Sequence, residues 1–259
     1  MKADVKSLIN LVKVRRLLPE AGLPVPPMSL HLVFLGNPGT GKTTVARLLA
    51  KLYHAIGVLP KGQLVEVDRS GLVAGFVGQT ALKTQEVIQK AIGGVLFIDE
   101  AYALNGKSEN DFGQEAIDTI LKAMEDHRDD LVVIVAGYSQ LMEKFIHSNP
   151  GLESRFNKYF YFEDYDGAQL FTILQSMCDK NGYVLTPEGE ALARRELMDL
   201  YEDRDENFGN ARDVRNLFEQ AVARQSDRVA RLEAPTREQL MELRPEDLTE
   251  PGVAPSPKD

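Results

Sequence analysis

The stretch Gly36-Asn37-Pro38-Gly39-Thr40-Gly41-Lys42-Thr43 constrains the chain more than any other. It has the form G-x-x-x-x-G-K-T and follows an apolar run, Leu30 to Leu35, that reads as a buried strand. After it, Val45, Leu48, Leu49, Leu52 and Ile56 recur at helical spacing. Strand, glycine loop and helix in that order build a phosphate cradle. The glycines let the backbone approach an anion, and the N–H groups at the helix start face it. Lys42 adds a positive charge, and Thr43 offers a hydroxyl to Mg²⁺. The candidate nucleotide-binding residues are Asn37, Pro38, Gly39, Thr40, Gly41, Lys42, Thr43 and Thr44. A glycine turn before an ordinary helix is the plainer alternative, and the strand–helix context argues against it.

A second motif strengthens the first. Gly93-Gly94-Val95-Leu96-Phe97-Ile98 reads as a buried strand ending in Asp99-Glu100. An acid at the carboxyl end of such a strand can hold Mg²⁺, and a second acid beside it can polarise an attacking water. Asp99 is the candidate metal carboxylate and Glu100 the candidate general base. A strand that merely ends in two solvated acids is the alternative; the phosphate loop upstream favours the catalytic reading.

Composition narrows the partners. The chain has 259 residues, enough for one large domain or two small ones, and its 43% apolar and 27% charged residues are those of a globular protein. A net charge of −9 argues against nucleic acid or an anionic membrane as the main partner. Cys178 is the only cysteine, so no intrachain disulfide can form, which suits a reducing cytosol. No apolar run approaches membrane-spanning length, and the start has no cleavable signal pattern. His31, His54, His127 and His147 lack metal-ligand spacing.

Along the chain, Val5, Leu8, Ile9 and Val12 mark an amphipathic helix over residues 4–18. It begins so close to Met1 that the chain reads as a piece of something longer. Pro24-Val25-Pro26-Pro27 is a stiff connector. Gln63 to Val67 is a short strand, with Asp68 or Ser70 placed to cap the next segment. Gly71 to Gly78 is a glycine-rich loop around Phe76, and Thr80 to Ala91 a helix. Asn105 to Asp111 is a loop, followed by a helix bearing Ile117, Ile120, Leu121 and Met124. Leu131 to Ala136 is a strand ending at Gly137-Tyr138, Asn149-Pro150-Gly151 a turn, and Lys158 to Phe162 a fifth strand. From Asp164 onward no buried strand is expected, only helices over Gly167–Lys180, Pro187–Tyr201 and Ala211–Glu233. The expected organisation is an α/β nucleotide-binding domain over 1–163, a helical domain over 164–235 and a short extension over 236–259 whose proline-rich end reads as disordered.

These motifs, with a helical domain behind them, resemble the AAA+ ATPases. Gly36–Thr43, Gly94–Tyr102, Leu131–Tyr138, Ser148–Phe156 and Gly209–Phe218 are similar to the group containing the red-type Rubisco activases and the stage V sporulation protein K proteins. The resemblance spans Leu8 to Ala230 and implies a parallel five-stranded sheet of order 5-1-4-3-2 followed by a helical lid. It implies that ATP sits with Mg²⁺ in the crevice between sheet edge and lid and is hydrolysed to ADP and phosphate. It also implies a homo-oligomer, in the active state a hexamer, that remodels a client protein; the single cysteine and the acidic charge add the expectation of a cytoplasmic location without membrane or nucleic acid.

Further residues follow from the resemblance alone. Arg155 matches an arginine finger reaching the γ-phosphate of a neighbouring subunit; a surface arginine pairing with Glu153 or Asp164 is the alternative. Arg212, with Arg215 as competitor, matches the second sensor carried by the lid. Phe76-Val77-Gly78 matches the first pore loop, against a Phe76 that merely anchors the loop by burial. Asn105 to Asp111 is then the second pore loop, with Lys107, Glu109 and Asp111 exposed. Tyr138 stands near the first-sensor position, where many relatives carry asparagine. Two rivals remain: an ATP-gated assembly module with slow hydrolysis, and a DNA-linked AAA+ ATPase, which the acidic charge disfavours.

Overall fold

The computed structural model describes residues 6–7, 10, 13–14, 17–24, 29–76, 78–106, 111–205 and 208–249. The expected helix over 4–18 is helical at its described positions, but Val5, Leu8, Ile9 and Val12 lie outside them, as do the prolines of the connector at 26–27 and the end from Glu250. The chain divides into two compact units: residues up to Asn37 with Gly41–Phe162, and Pro38–Thr40 with Glu163 onward.

The first unit is built on β1, Leu32–Gly36, whose four leading residues are buried. A strand buried on both faces needs apolar side chains pointing both ways, and β1 has them. Around it run β2 (Leu64–Val67), β3 (Val95–Ile98), β4 (Val132–Gly137) and β5 (Tyr159–Phe162). All pairings are parallel and the order is 5-1-4-3-2. Side chains alternate across the pleat. Val33, Leu35, Leu96, Ile98, Val133 and Val135 therefore face one apolar cluster. Leu32, Phe34, Val95, Phe97, Val132 and Ile134 face another. The second cluster is closed by α1 (Lys42–Ala55) through Ala46, Leu49 and Tyr53. The first is closed by α3 (Thr80–Ala91), α4 (Gly113–Asp126) and α5 (Ser139–His147). A one-turn helix, α2 (Arg69–Leu72), opens the stretch expected to be loop, with Asp68 as its cap.

Asn149-Pro150-Gly151 is not a free turn. Asn149 accepts the Gly151 N–H and starts α6, Pro150–Arg155, with proline in the first turn. Proline there loses no hydrogen bond, because the first N–H groups of a helix have no partner within it.

The second unit contains α7 (Gly167–Asn181), α8 (Pro187–Glu202) and α9 (Ala211–Val229). Asp166 and Gln169 form a capping box at the start of α7, and Thr186 caps α8. Two short strands, β6 (Val184–Leu185) and β7 (Glu242–Leu243), pair in parallel, where the sequence suggests only helices. Beyond residue 235 the chain stays in the unit. α10 (Arg237–Met241) leads into β7, and α11 (Pro245–Leu248) comes after it. Leu243 and Leu248 join Leu170, Phe171, Leu174 and Leu197 in the core. Asp247, 1% exposed, accepts from the Arg228 guanidinium at 2.8 and 3.0 Å.

One buried polar contact ties the start of β1 to its neighbour. His31 Nδ1 accepts the Val133 N–H at 3.0 Å, so the ring is neutral with its proton on Nε2. Burial, then the charges of Lys158 and Arg155, lower its pKa from 6.5 to about 4. Between these values the unfolded chain binds a proton that the folded chain refuses, so stability falls as pH falls. The loss has a slope of about 1.4 kcal/mol per pH unit and reaches about 3 kcal/mol by pH 4. Urea unfolding at pH 6.5 and 4.5 measures it, and His31→Gln should remove most of the difference. An unchanged acid sensitivity in that variant would exclude His31 as the cause.

Candidate active site

The strand register brings the two main motifs to one edge of the sheet. Leu35 of β1 lies opposite Gly137 of β4, and Val135 of β4 lies opposite Ile98 of β3. The phosphate loop after β1, Tyr138 after β4 and Asp99-Glu100 after β3 therefore emerge side by side at the carboxyl ends of the strands. Ligands of open α/β sheets bind at this edge.

The loop is shaped for close approach to an anion. Gly36, Gly39 and Gly41 all adopt positive φ. A Cβ on Gly36 would also overlap the Phe162 carbonyl of β5. Lys42 Nζ donates to the carbonyls of Gly36 and Asn37 at 2.8 and 2.7 Å, which folds the ammonium back into the loop. The first turn of α1 contains no acid and has no side-chain cap, so the helix dipole places positive potential at the end of the loop. Pro38–Thr40 group with the second unit. There Asn210 Nδ2 donates to the Pro38 carbonyl at 3.3 Å, and Tyr165 Oη donates to the Thr40 carbonyl at 3.1 Å.

Glu100 is one of two non-glycine residues with positive φ among the described residues, at φ 48° and ψ 42°. Its N–H donates to the Asp99 carboxylate at 3.1 Å, and its carbonyl accepts the Ala103 N–H at 2.8 Å. Left-handed backbone at a residue with a Cβ costs about 1–3 kcal/mol and marks a position whose geometry the surroundings impose. Here it turns an exposed carboxylate out from the sheet edge beside a half-buried Asp99. Asp99 and Thr43, the residues expected to hold Mg²⁺, are both oxygen donors of the kind that cation takes.

Tyr138 starts α5 and is half-buried, its carbonyl accepting the Met142 N–H at 2.9 Å. Its ring lies 6.3 Å from that of Tyr102. Sequence reasoning did not single out Tyr102. Burial, then Glu100, Tyr138 and Asp99, push its phenol up to about 12. At neutral pH it keeps its proton and is a hydrogen-bond donor beside the two acids. Its position three residues after Asp99 was the available signal.

Arg155 lies away from this edge. Its carbonyl accepts from Ser29 Oγ at 2.7 Å, just before β1 begins. The phosphate loop leaves the opposite end of that strand. Five residues of strand, about 17 Å, separate the two. The side chain is 30% exposed, and its guanidinium pairs with Glu125 at 3.3 Å, not with Glu153 or Asp164. Arg212 and Arg215 stand exposed at the start of α9, with no side-chain ion pair or hydrogen bond among the described residues. Phe76 is 72% exposed and so is not a buried anchor. Val77, Lys107 and Glu109 lie outside the described residues. Asp111 departs from expectation. Its side chain is only 15% exposed because it is paired with Arg69.

Residues 32–164 match the family model described as ATPase family associated with various cellular activities (AAA), and residues 166–254 match the AAA lid domain. Stage V sporulation protein K of Bacillus subtilis is 42% identical over 250 residues, covering 96% of this chain and 78% of that protein. Protein CbbX of Cereibacter sphaeroides is 46% identical over 230 residues, covering 88% and 74%. The chloroplastic ribulose bisphosphate carboxylase/oxygenase activase of Cyanidioschyzon merolae is 43% identical over 230 residues, covering 88% and 78%. Among solved structures, the FIGL-1 AAA domain matches with a TM-score of 0.62 at 16% identity, over 95% of this chain and 78% of that one, a likeness of fold. The chain belongs to the AAA+ ATPases, in the group that includes stage V sporulation protein K and the CbbX proteins. No helix among the described residues is long and apolar enough to cross a membrane.

The contact between Gly137 and Tyr102 is open to a direct test. A Cβ at Gly137 would stand 2.7 Å from the Tyr102 ring and 3.0 Å from Met142 Cγ. Gly137→Ala should displace the ring and destabilise the fold by about 1–3 kcal/mol, as overpacking does. Urea unfolding reads the loss. Full stability in Gly137→Ala would mean that the ring is free to move.

Proposed function

We propose that this chain hydrolyses ATP to ADP and phosphate as part of a homo-oligomeric ring, and uses the cycle to remodel a client protein in the cytoplasm. Residues 1–163 act as the nucleotide-binding domain and 164–235 as the lid, completed by the packed residues after it. The observation that carries the reading is the arrangement along β1: phosphate loop at one end, Arg155 at the other. An arginine on a side chain about 7 Å long cannot span a strand of about 17 Å to its own loop. In this reading it exchanges its Glu125 partner for the loop of a neighbour, which a head-to-tail ring provides.

In this reading the backbone N–H groups of residues 39–44 and the Lys42 ammonium hold the phosphates. Thr43 and Asp99 would hold Mg²⁺, which when bound supplies positive charge to the phosphate oxygens. Glu100 takes a proton from water as its oxygen attacks the γ-phosphorus and the bond to the bridging oxygen of ADP breaks. Tyr138, with Tyr102 beside it, orients the water by hydrogen bonding. Arg155 of the adjacent subunit stabilises charge on the γ-phosphate, and Arg212 links phosphate to the lid. Phe76, with Val77 and Gly78, offers an exposed aromatic that grips polypeptide without reading its sequence.

Two variants test the chemistry and the shared site. Glu100→Gln keeps the shape of the side chain and removes its basicity. It should bind ATP with affinity within about threefold of the parent and lower turnover at least about 100-fold, the usual size of a general-base contribution. Phosphate release and nucleotide titration measure these, and normal turnover would remove Glu100 from the role. Arg155→Ala should be comparably slow by itself. Mixed one to one, the two slow variants should recover about one quarter of parental turnover, since a quarter of head-to-tail junctions pair an intact Glu100 with an intact Arg155. Mixtures that stay at background would show that both residues serve the same subunit's nucleotide.

A further inference from the structure

One guanidinium outside the proposed catalytic set joins three segments of the first unit. Arg69, on α2, donates from Nη1 to the Ala103 carbonyl at 2.6 Å and from Nη2 to Asp111 Oδ1 at 2.8 Å. Ala103 belongs to the 3₁₀ turn Ala101–Leu104 immediately after Glu100. Its N–H donates to the Glu100 carbonyl. Glu100 and Arg69 are thus linked through one residue, Ala103, whose N–H bonds the first and whose carbonyl bonds the second. Asp111 also accepts the Gly113 N–H at 2.8 Å, at the start of α4. It packs against Gly106, where a Cβ would fall on its carboxylate. The acid therefore closes the base of the segment between Gly106 and Asp111. Burial pushes the Asp111 carboxyl up, and the bonds from Arg69 and Gly113 outweigh this, holding it below the ordinary carboxylate value.

On its other side Arg69 leads directly into the Phe76 loop. The residues between are tied to α3. Ser70 and Val73 carbonyls accept from Lys83 Nζ at 2.6 and 3.1 Å. The Leu72 carbonyl accepts from Thr84 Oγ1 at 3.1 Å, and the Ala74 N–H donates to Thr80 Oγ1 at 3.0 Å. These ties fasten residues 70–74 to α3, and Phe76 stands just beyond the last of them. A shift at Arg69 reaches Phe76 without being lost in a slack loop.

We infer that Arg69 is a positioning residue that couples the backbone turn at Glu100 to the Phe76 loop and to the start of α4. The coupling rests on the readings of Glu100 and Phe76 proposed above. It depends on the forked guanidinium. Two acceptors from different segments must be held at once, which an arginine does through separate nitrogens and a lysine does with poorer geometry. Deleting the fork leaves Glu100 and the nucleotide residues in place but lets the two loop bases move independently of them.

The chain contains no tryptophan, so the indole introduced by Phe76→Trp reports that loop alone. Acrylamide quenching is measured with Mg·ATPγS and with Mg·ADP. The quenching constant should differ between the two nucleotides in Phe76→Trp. The difference should shrink at least about threefold when Arg69→Ala is added, and about twofold with Arg69→Lys, which keeps charge but loses the fork. Affinity for either nucleotide should stay within about threefold in both, since neither change touches the phosphate loop. A purely structural role would move the unfolding midpoint and leave the difference between nucleotides intact. Should Arg69→Ala fail to fold, Arg69→Lys decides. A nucleotide-dependent difference that survives both substitutions overturns the coupling and leaves the proposed function standing. No difference in Phe76→Trp itself, with both nucleotides bound, overturns the coupling together with the loop reading of Phe76.

Discussion

Burial of β1 on both faces is the constraint on which the rest of the first unit depends. Leu32, Val33, Phe34 and Leu35 are each at most 1% exposed. Fully burying side chains of this size contributes about 1.5–3 kcal/mol each. Phe34 alone packs edge-on against Phe97 and tilted against Phe160 and Phe162, with centroids 4.9 to 6.4 Å apart. A strand anchored this firmly cannot slide, because a one-residue slip would send its whole apolar set to the wrong face. Its last residue, Gly36, is fixed in turn against the Phe162 carbonyl. The phosphate loop therefore starts from a point that the core holds in place.

The same rigidity organises the other groups of the candidate site. β4 stands between β1 and β3, so its end separates the phosphate loop from Asp99-Glu100 by a single strand. Parallel strands lie about 4.8 Å apart, which sets the spacing of these groups by hydrogen bonding in the sheet and not by loop conformation. The proposed trans role of Arg155 draws on the same geometry, read along the strand instead of across it.

Much of this was legible in the sequence, for identifiable reasons. Continuous apolar runs at Leu32, Val95 and Val132 signal buried parallel strands, and the glycine-lysine loop has few other uses. What escaped was carried by polar contacts between distant residues. Arg69 and Asp111 are 42 positions apart, and nothing periodic marks either. Tyr102 stands close to Asp99 and Glu100 in the sequence, but its burial and its approach to Tyr138 come only with the fold. The strands β6 and β7 are two residues each, too short to leave an alternating pattern. Asn149-Pro150-Gly151 carries turn residues that also start helices, and only the continuation through Arg155 separates the two. Asn210 sits inside the motif Gly209–Phe218, yet its positive φ and complete burial leave no mark on the sequence.

Glu100 combines two demands that ordinarily fall on different residues. Its left-handed backbone suits glycine or asparagine, whose Cβ is missing or whose short amide bonds locally. The chemistry proposed for the position calls for a longer carboxylate. Residues that relax the backbone lack the reach, and residues with the reach keep the strain. Folding and turnover therefore compete for the identity of a single side chain. Stability alone favours a residue other than glutamate at this point, and the strain it keeps there is what the proposed chemistry would account for.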